Sequence, residues 1–431
     1  NTEKAVEYLH LAGRQAVELS AFEEAISRFT RGLELVERLP ETTERNEREL
    51  LLQTARGLAL AVTTGWGSPK TGDAYARGWK LCQQVGETRQ RFMVLWGLLA
   101  IHLNRAEFKA TRELGEQLLS LAQTGQDRAL LLEANWGLGY TLYCLGEFTA
   151  SLEHLERGID LYDSKQHHSL SFLYGGFDPG VVCLCTAALV LLDLGFPDQA
   201  LARLREAFLL GEELSHPFSL AILLYTACGL HRQRGEWRAA QEQAEALVAL
   251  ADEHGFALYS AVGTTERGLV LAGQGQVEEG IAQMHQGMDA ARAVGERLKG
   301  PAYLSGLAEV YGKAGKAQEG LSVNARAMSA LNKSGERHAE AEIIRVKGEL
   351  LLLQSKDGEA EGCFRKAIEV ARKQRAKWHE LVASTSLARL WQKQGKKDEA
   401  RKLMSEIYGW FTEGFDTAPL KEAKALFEEL S

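Results

Sequence analysis

One spacing constrains this chain more than any other feature. The glycine of Leu194-Gly195-Phe196 recurs every 40 residues as Gly235, Gly275, Gly315, Ser355 and Gly395. Five of these six points are Gly, although 42 glycines in 431 residues place one at only about every tenth position. Two more series keep the interval: Ala188, Cys228, Gly268, Ala308, Gly348, Ala388, and Ala200, Ala240, Gly280, Gly320, Ala360, Ala400. All members of both are small. A small residue on one helix and another 12 residues later let two helices touch closely. The glycine between them takes the left-handed turn that ends the first helix.

Large residues follow on the second helix, at Leu204, Phe364 and Met404, and small ones again at Ala207, Gly287, Ala327 and Ala367. That is one helical face. Hydrophobic periodicity stays helical along nearly the whole chain. This is the tetratricopeptide pattern, written on 40 residues instead of the usual ~34. Earlier units fit with looser spacing: Gly13, Ser20, Ala25, Phe29 and Gly32 form one, Gly139, Gly146, Ser151, Leu155 and Gly158 another, and Gly57 and Gly97 anchor two more. The expected fold is all-α: a right-handed α-solenoid of about ten helix hairpins over residues 1–412, with a capping helix in 413–431. Length alone, at ~150 residues per domain, would have suggested three domains.

Composition excludes several classes. A formal net charge of −8 and the lack of a basic stripe argue against nucleic-acid binding. No apolar run approaches the ~18 residues that span a bilayer, so a cytoplasmic protein without membrane contact is expected. Six scattered cysteines with apolar neighbours read as reduced core thiols. Asn1-Thr2-Glu3-Lys4 has neither an initiator Met nor a signal-peptide shape, so the chain is expected to start inside a longer polypeptide.

No motif carries catalysis, metal or a cofactor. Gly65-Trp-Gly-Ser-Pro-Lys-Thr71 looks like a phosphate loop, but no Gly precedes the Lys and Pro69 removes an amide. Cys183 and Cys185 point to different sides of a helix, and His167-His168 reads as loop decoration. Glu23-Glu24 and Glu278-Glu279 open second helices, where carboxylates suit the dipole. There is no nucleophile–base–acid set, so no enzyme is expected.

The concave face is more informative. Positions −6, −3, +1 and +4 from the small residue of each first helix face inward. For Gly139 these are Glu133, Trp136, Tyr140 and Tyr143; for Cys228 they include Tyr225 and Arg232. The lattice is broken most widely between Gly139 and Ala188, where about nine extra residues fall within 165–180. A solenoid insertion marks a loop on one face, often the binding face. It holds Tyr174, Phe177 and Asp178, and Pro179 keeps Asp178 extended, which would aim its carboxylate. With Arg91 nearby, these residues form the expected recognition patch. The alternative is that the aromatics are buried between repeats.

Ser384-Thr-Ser-Leu-Ala-Arg-Leu-Trp391, Ile407-Tyr-Gly-Trp-Phe-Thr-Glu-Gly-Phe-Asp-Thr417 and Leu420-Lys-Glu-Ala-Lys-Ala425, with Ser215-His-Pro-Phe-Ser-Leu220 and Asp178-Pro-Gly-Val181, carry a resemblance. The chain resembles the C-terminal tetratricopeptide region of bacterial signalling proteins that join a class III cyclase, or a Ser/Thr kinase, to a STAND ATPase. The resemblance implies a non-catalytic sensor or scaffold that binds a protein segment or effector and regulates the upstream ATPase and cyclase or kinase domains. The other reading is a small-metabolite receptor with its pocket at the insertion.

Overall fold

The computed structural model describes residues 2–85 and 88–430, which form 22 α-helices and no strand. The first four hairpins are α1 (Thr2–Glu18) with α2 (Phe22–Val36), α3 (Thr43–Thr64) with α4 (Pro69–Val85), α5 (Thr88–Asn104) with α6 (Phe108–Gly125), and α7 (Arg128–Cys144) with α8 (Phe148–Leu161). The insertion contributes the short α9 (Ser164–His167) and a 3-10 turn, His168–Phe172. Next come α10 (Pro179–Leu194) with α11 (Pro197–Leu214), α12 (Pro217–Arg234) with α13 (Trp237–His254), and α14 (Ala257–Gly273) with α15 (Val277–Ala293). The last three hairpins are α16 (Gly300–Lys313) with α17 (Ala317–Ser334), α18 (Glu340–Leu352) with α19 (Asp357–Gln374), and α20 (Lys377–Lys393) with α21 (Lys397–Tyr408). They are followed by α22 (Ala418–Glu429). The result is a tetratricopeptide-like α-solenoid.

The turn series is denser than the sequence reading proposed. Left-handed backbone occurs every 20 residues from Gly195 to Gly395, at Gly195, Ser215, Gly235, Gly255, Gly275, Gly295, Gly315, Gly335, Ser355, Arg375 and Gly395. Alternate members end first and second helices, so the chain reverses at a fixed beat. Ser215, Ser355 and Arg375 hold this conformation without being Gly, at φ 50°, 58° and 57°; such backbone costs about 1–2 kcal/mol per residue. The repeat therefore imposes the turn even where the residue opposes it.

The small-residue series are the hairpin contacts. Ala200, Ala240, Ala360 and Ala400 are wholly buried. In the tightest hairpin, a Cβ on Gly268 would sit 2.7 Å from the Gly280 carbonyl oxygen, and one on Gly280 2.6 Å from that of Gly268. At Gly139 the 12-residue partner is Ser151, whose hydroxyl donates to the Gly139 carbonyl at 2.7 Å. All six cysteines are free thiols, five of them buried.

The superhelix closes on itself. Arg297 N–H donates to the Asn104 carbonyl (2.9 Å), and Arg337 N–H, 40 residues on, to that of Cys144 (2.7 Å). His379 Nε2 lies 3.2 Å from Asp193 Oδ1 at the corresponding place of the next unit. Farther along, the Glu413 carboxylate accepts the Asp198 and Gln199 N–H groups at 3.0 and 3.1 Å, capping α11 from the end of the chain. Arg234, 1% exposed, donates to the Pro197 carbonyl (2.8 Å) and approaches Asp416 at 3.4 Å. Hairpin turns of the first superhelical turn thus rest on connectors and tail segments of the second, and they enclose a lumen.

Candidate functional site

The lumen is a funnel of three linked chambers. The innermost, about 120 Å³, is walled by Trp96, Trp136, Phe177, Phe218 and Tyr259. It meets a middle chamber of about 320 Å³ at Tyr225 and Lys299, which line both. The middle chamber shares Glu309 and Arg345 with an outer one of about 550 Å³.

First helices supply most of this wall, and they do so at the inward positions inferred from the repeat. Trp136, Tyr140 and Tyr225 line the inner chamber; Tyr143, Tyr225 and Arg232 line the middle one. Trp136 stacks on Tyr140 (centroids 5.9 Å, 27°) and on Trp96 (5.7 Å, 19°). The Tyr225 hydroxyl hydrogen-bonds that of Tyr303 at 2.8 Å. Arg232 Nε donates to Glu266 at 3.1 Å. Burial opposes the Arg232 charge, but Glu266 outweighs it and holds the guanidinium above its ordinary pKa. Arg345 pairs with Glu342 at 2.6 Å; burial works against the Glu342 carboxylate, yet the guanidinium holds it down at about 2.

The other four expected site residues lie outside these walls. Arg91 is exposed on the first turn of α5. Glu133 is buried, and burial, with Asp178 adding to it, raises its pKa well above the carboxylate range. The insertion does not form a surface loop: it folds inward. Tyr174 packs edge-on against Phe92 (5.7 Å), and Phe177 packs against Trp136 (4.8 Å) and lines the inner chamber. Asp178 is aimed, as Pro179 demands, but along its own helix. Its carboxylate caps α10 by accepting from Gly180 and Val181 N–H (2.9 and 3.1 Å), and it also accepts from Tyr162 and lies 3.0 Å from His168. These hydrogen bonds occupy it structurally, with no face left toward the lumen. Among the described residues, Trp136 Nε1 is buried without a hydrogen-bond partner.

Lys299 is the residue that sequence reasoning missed. It precedes α16 with a left-handed backbone (φ 57°). Its Nζ stands over two rings, 4.9 Å from the Tyr225 centroid and 5.7 Å from that of Tyr143. Burial disfavours its charge, but Tyr225, Cys144 and Glu266 raise its pKa above the ordinary lysine value. The inward rule stops at −6. One helical turn farther back, at −9, it would have reached Lys299 together with Tyr259 and His379, which also line the lumen. Among the described residues no cluster of His, Cys, Asp and Glu could hold a metal ion, and no helix is long and apolar enough to cross a membrane.

No family model matches the chain. An uncharacterized protein of Rhizobium meliloti (strain 1021) is 24% identical over 380 residues, 87% of this chain. The chain spans only 36% of that relative's length. Among solved structures, a Rap protein complexed with Competence and Sporulation Factor superposes with a TM-score of 0.63 at 12% identity, covering 87% of this chain and 99% of that one. The Cut9-Hcn1 hetero-tetramer of the APC/C superposes at 0.54 and 12% identity, covering 99% of this chain and 76% of that one. Both likenesses are of fold.

Proposed function

We propose that this chain is a non-catalytic sensor and scaffold module that takes a protein segment or small effector into its lumen. Occupancy would then regulate ATPase and cyclase or kinase domains of the same polypeptide. The observation that carries this reading is the lumen of linked chambers, with a charged vestibule and an aromatic end. Tyr143, Tyr225 and Lys299 meet at its neck from three hairpins. Lys299 also stands two residues from Arg297, whose N–H ties the superhelical turns together. A ligand at the neck touches both turns, so it binds differently to a wound and a loosened superhelix. That differential affinity is what relay requires. The Rap complex, of the same fold, supports a bound partner as the type of ligand.

The small-metabolite reading keeps one specific support, Phe177 of the insertion in the wall of the inner chamber. Native mass spectrometry of the purified full-length protein tests for a co-purified mass. Tyr225→Ala, at a half-buried position, should weaken binding of that mass by at least about 2 kcal/mol, roughly thirtyfold, with the fold kept. Trp136→Ala should weaken it as well, but Trp136 is 6% exposed within the aromatic stack, so its loss also costs stability. Undiminished binding by Tyr225→Ala excludes the neck.

A further inference from the structure

We propose that the neck of the funnel recognises a carboxylate. Lys299 binds the carboxylate of a ligand whose single bulky apolar group, the size of a phenyl or branched aliphatic side chain, fills the inner chamber. This rests on the lumen-binding reading above and names its ligand chemistry.

Three observations support it. The first is charge. The other Lys and Arg side chains of the inner and middle chambers each have a carboxylate partner: Arg232 with Glu266 at 3.1 Å, Arg345 with Glu342 at 2.6 Å, Lys313 with Glu309 at 3.7 Å. Among the described residues, Lys299 has none within 4.0 Å. It is instead held by the Tyr143 and Tyr225 ring faces and by a hydrogen bond with Tyr225, which attract a cation without neutralising it. The second is backbone. A lysine in left-handed conformation is strained, and such strain persists only where the surroundings impose it. Here Arg297 N–H is tied to Asn104 on one side and Gly300 N–H to the Arg297 carbonyl (3.1 Å) on the other. The corresponding residues of neighbouring units, Tyr259, Ala339 and His379, have no such backbone. The third is size. An apolar cavity of about 150 Å³ holds a benzene ring, and this chamber of about 120 Å³ takes one comparable group with little adjustment. A phosphate dianion suits the place poorly: it would meet a single ammonium, with Glu266 close enough to act on that ammonium.

The carboxylate can belong to the last residue of a peptide, with its chain running out through the wider chambers, or to a free acid. Titration calorimetry on the full chain distinguishes these, with N-acetyl-Ala-Ala-Phe, its C-terminal amide and 3-phenylpropionate as probes and Trp fluorescence as a second readout. The acid peptide is expected to bind about tenfold or more tighter than the amide, as for loss of a charged hydrogen bond. Lys299→Met should erase that difference and Lys299→Arg should keep it, with melting curves checking the fold. A peptide acid tighter than 3-phenylpropionate assigns the site to a chain end; equal affinities assign it to a small acid. Equal binding of acid and amide by the unmodified chain overturns the proposal, as does binding of none of the probes. If Lys299→Met does not fold, the acid–amide comparison on the unmodified chain decides alone. A neutral molecule recovered from the lumen would sink the carboxylate and leave the sensor reading standing.

Discussion

The two ends of the lumen are built on the same repeat position and carry opposite chemistry. Of the residues three before the small lattice points, Trp136, Cys185 and Tyr225 line the inner half, and Ser305, Arg345 and Thr385 the outer half. One residue after these points stand Tyr140 and Leu189, then Gly229 and Leu269 in the middle chamber, then Glu309, Glu349 and Arg389. The contact between the two helices of each hairpin does not change in this way; small residues stay small from Ala200 to Ala400. Hairpin contacts tolerate only one size, so they are uniform. Lumen positions face space, so they are free to differ, and they sort into an apolar end and a charged mouth.

The largest expected contrast lies within one column. Trp136→Ala removes a buried ring from the aromatic stack and should cost about 3–5 kcal/mol in urea unfolding. Ser305→Ala, at the same position in the outer half, removes a buried hydroxyl that has no hydrogen-bond partner, and should stay within about 0.5 kcal/mol or stabilise slightly. Similar losses at both would mean that the two halves are not different materials.

Next come substitutions on the uniform side. Ala240→Leu and Ala360→Leu should each cost roughly 1–3 kcal/mol by overpacking. Because repeats couple mainly to their neighbours, calorimetric melting should broaden or split. A cost at one site and none at the other would show that the lattice is uniform in sequence but not in packing.

A further contrast comes from two buried carboxyls, Glu296 and Glu133. Burial raises Glu296 to about 8, with Glu336 adding to it and the Leu298 and Arg297 N–H groups opposing. Glu133 is shifted the same way. A carboxyl with a raised folded pKa holds its proton in the folded state while the unfolded chain loses it. The Glu296 contribution to stability should therefore fall as pH rises from the unfolded value near 4.5 to about 8, then level off. Denaturant titrations at pH 5 and pH 8 should differ by more than about 1 kcal/mol. Glu296→Gln keeps an acceptor for Leu298 N–H and should shrink the difference; an unchanged slope would assign it elsewhere.

The smallest effect belongs to the mouth. Arg389, 55% exposed, pairs with Glu422 at 2.8 Å. Arg389→Ala should change stability by less than about 1 kcal/mol, the usual range for a surface pair, and leave binding at the neck unaltered. A loss there as large as at Tyr225 would point to a ligand that runs the length of the funnel.

Half of the candidate site was legible because inward spacing is a local property of helices. Trp136, Tyr140, Tyr143, Tyr225 and Arg232 follow from counting along a hairpin. Glu133 obeys the same count and is still buried away from the lumen, because the inserted segment lies beside it. Whether an insertion swings out or folds in depends on the space around it. The spacing places Tyr174 and Phe177 in a surface loop, yet they pack into the interior against the rings of Phe92, Trp96 and Trp136. Asp178 looked aimed at a ligand because its restriction was visible while its partners, Tyr162, His168 and the α10 amides, were not.

The sequence by itself determined the hairpin: its length, its turns, its close contacts and most of the residues that look inward. All of these repeat within 40 residues and depend on side-chain size and helix geometry. The tertiary structure alone decided that the solenoid closes into a funnel and that Lys299 stands at its neck. The ties responsible join Arg297 to Asn104 and Arg337 to Cys144, far apart in the chain, through backbone N–H and carbonyl groups. Every residue but proline carries both groups, so such a contact leaves no mark in the order of the side chains.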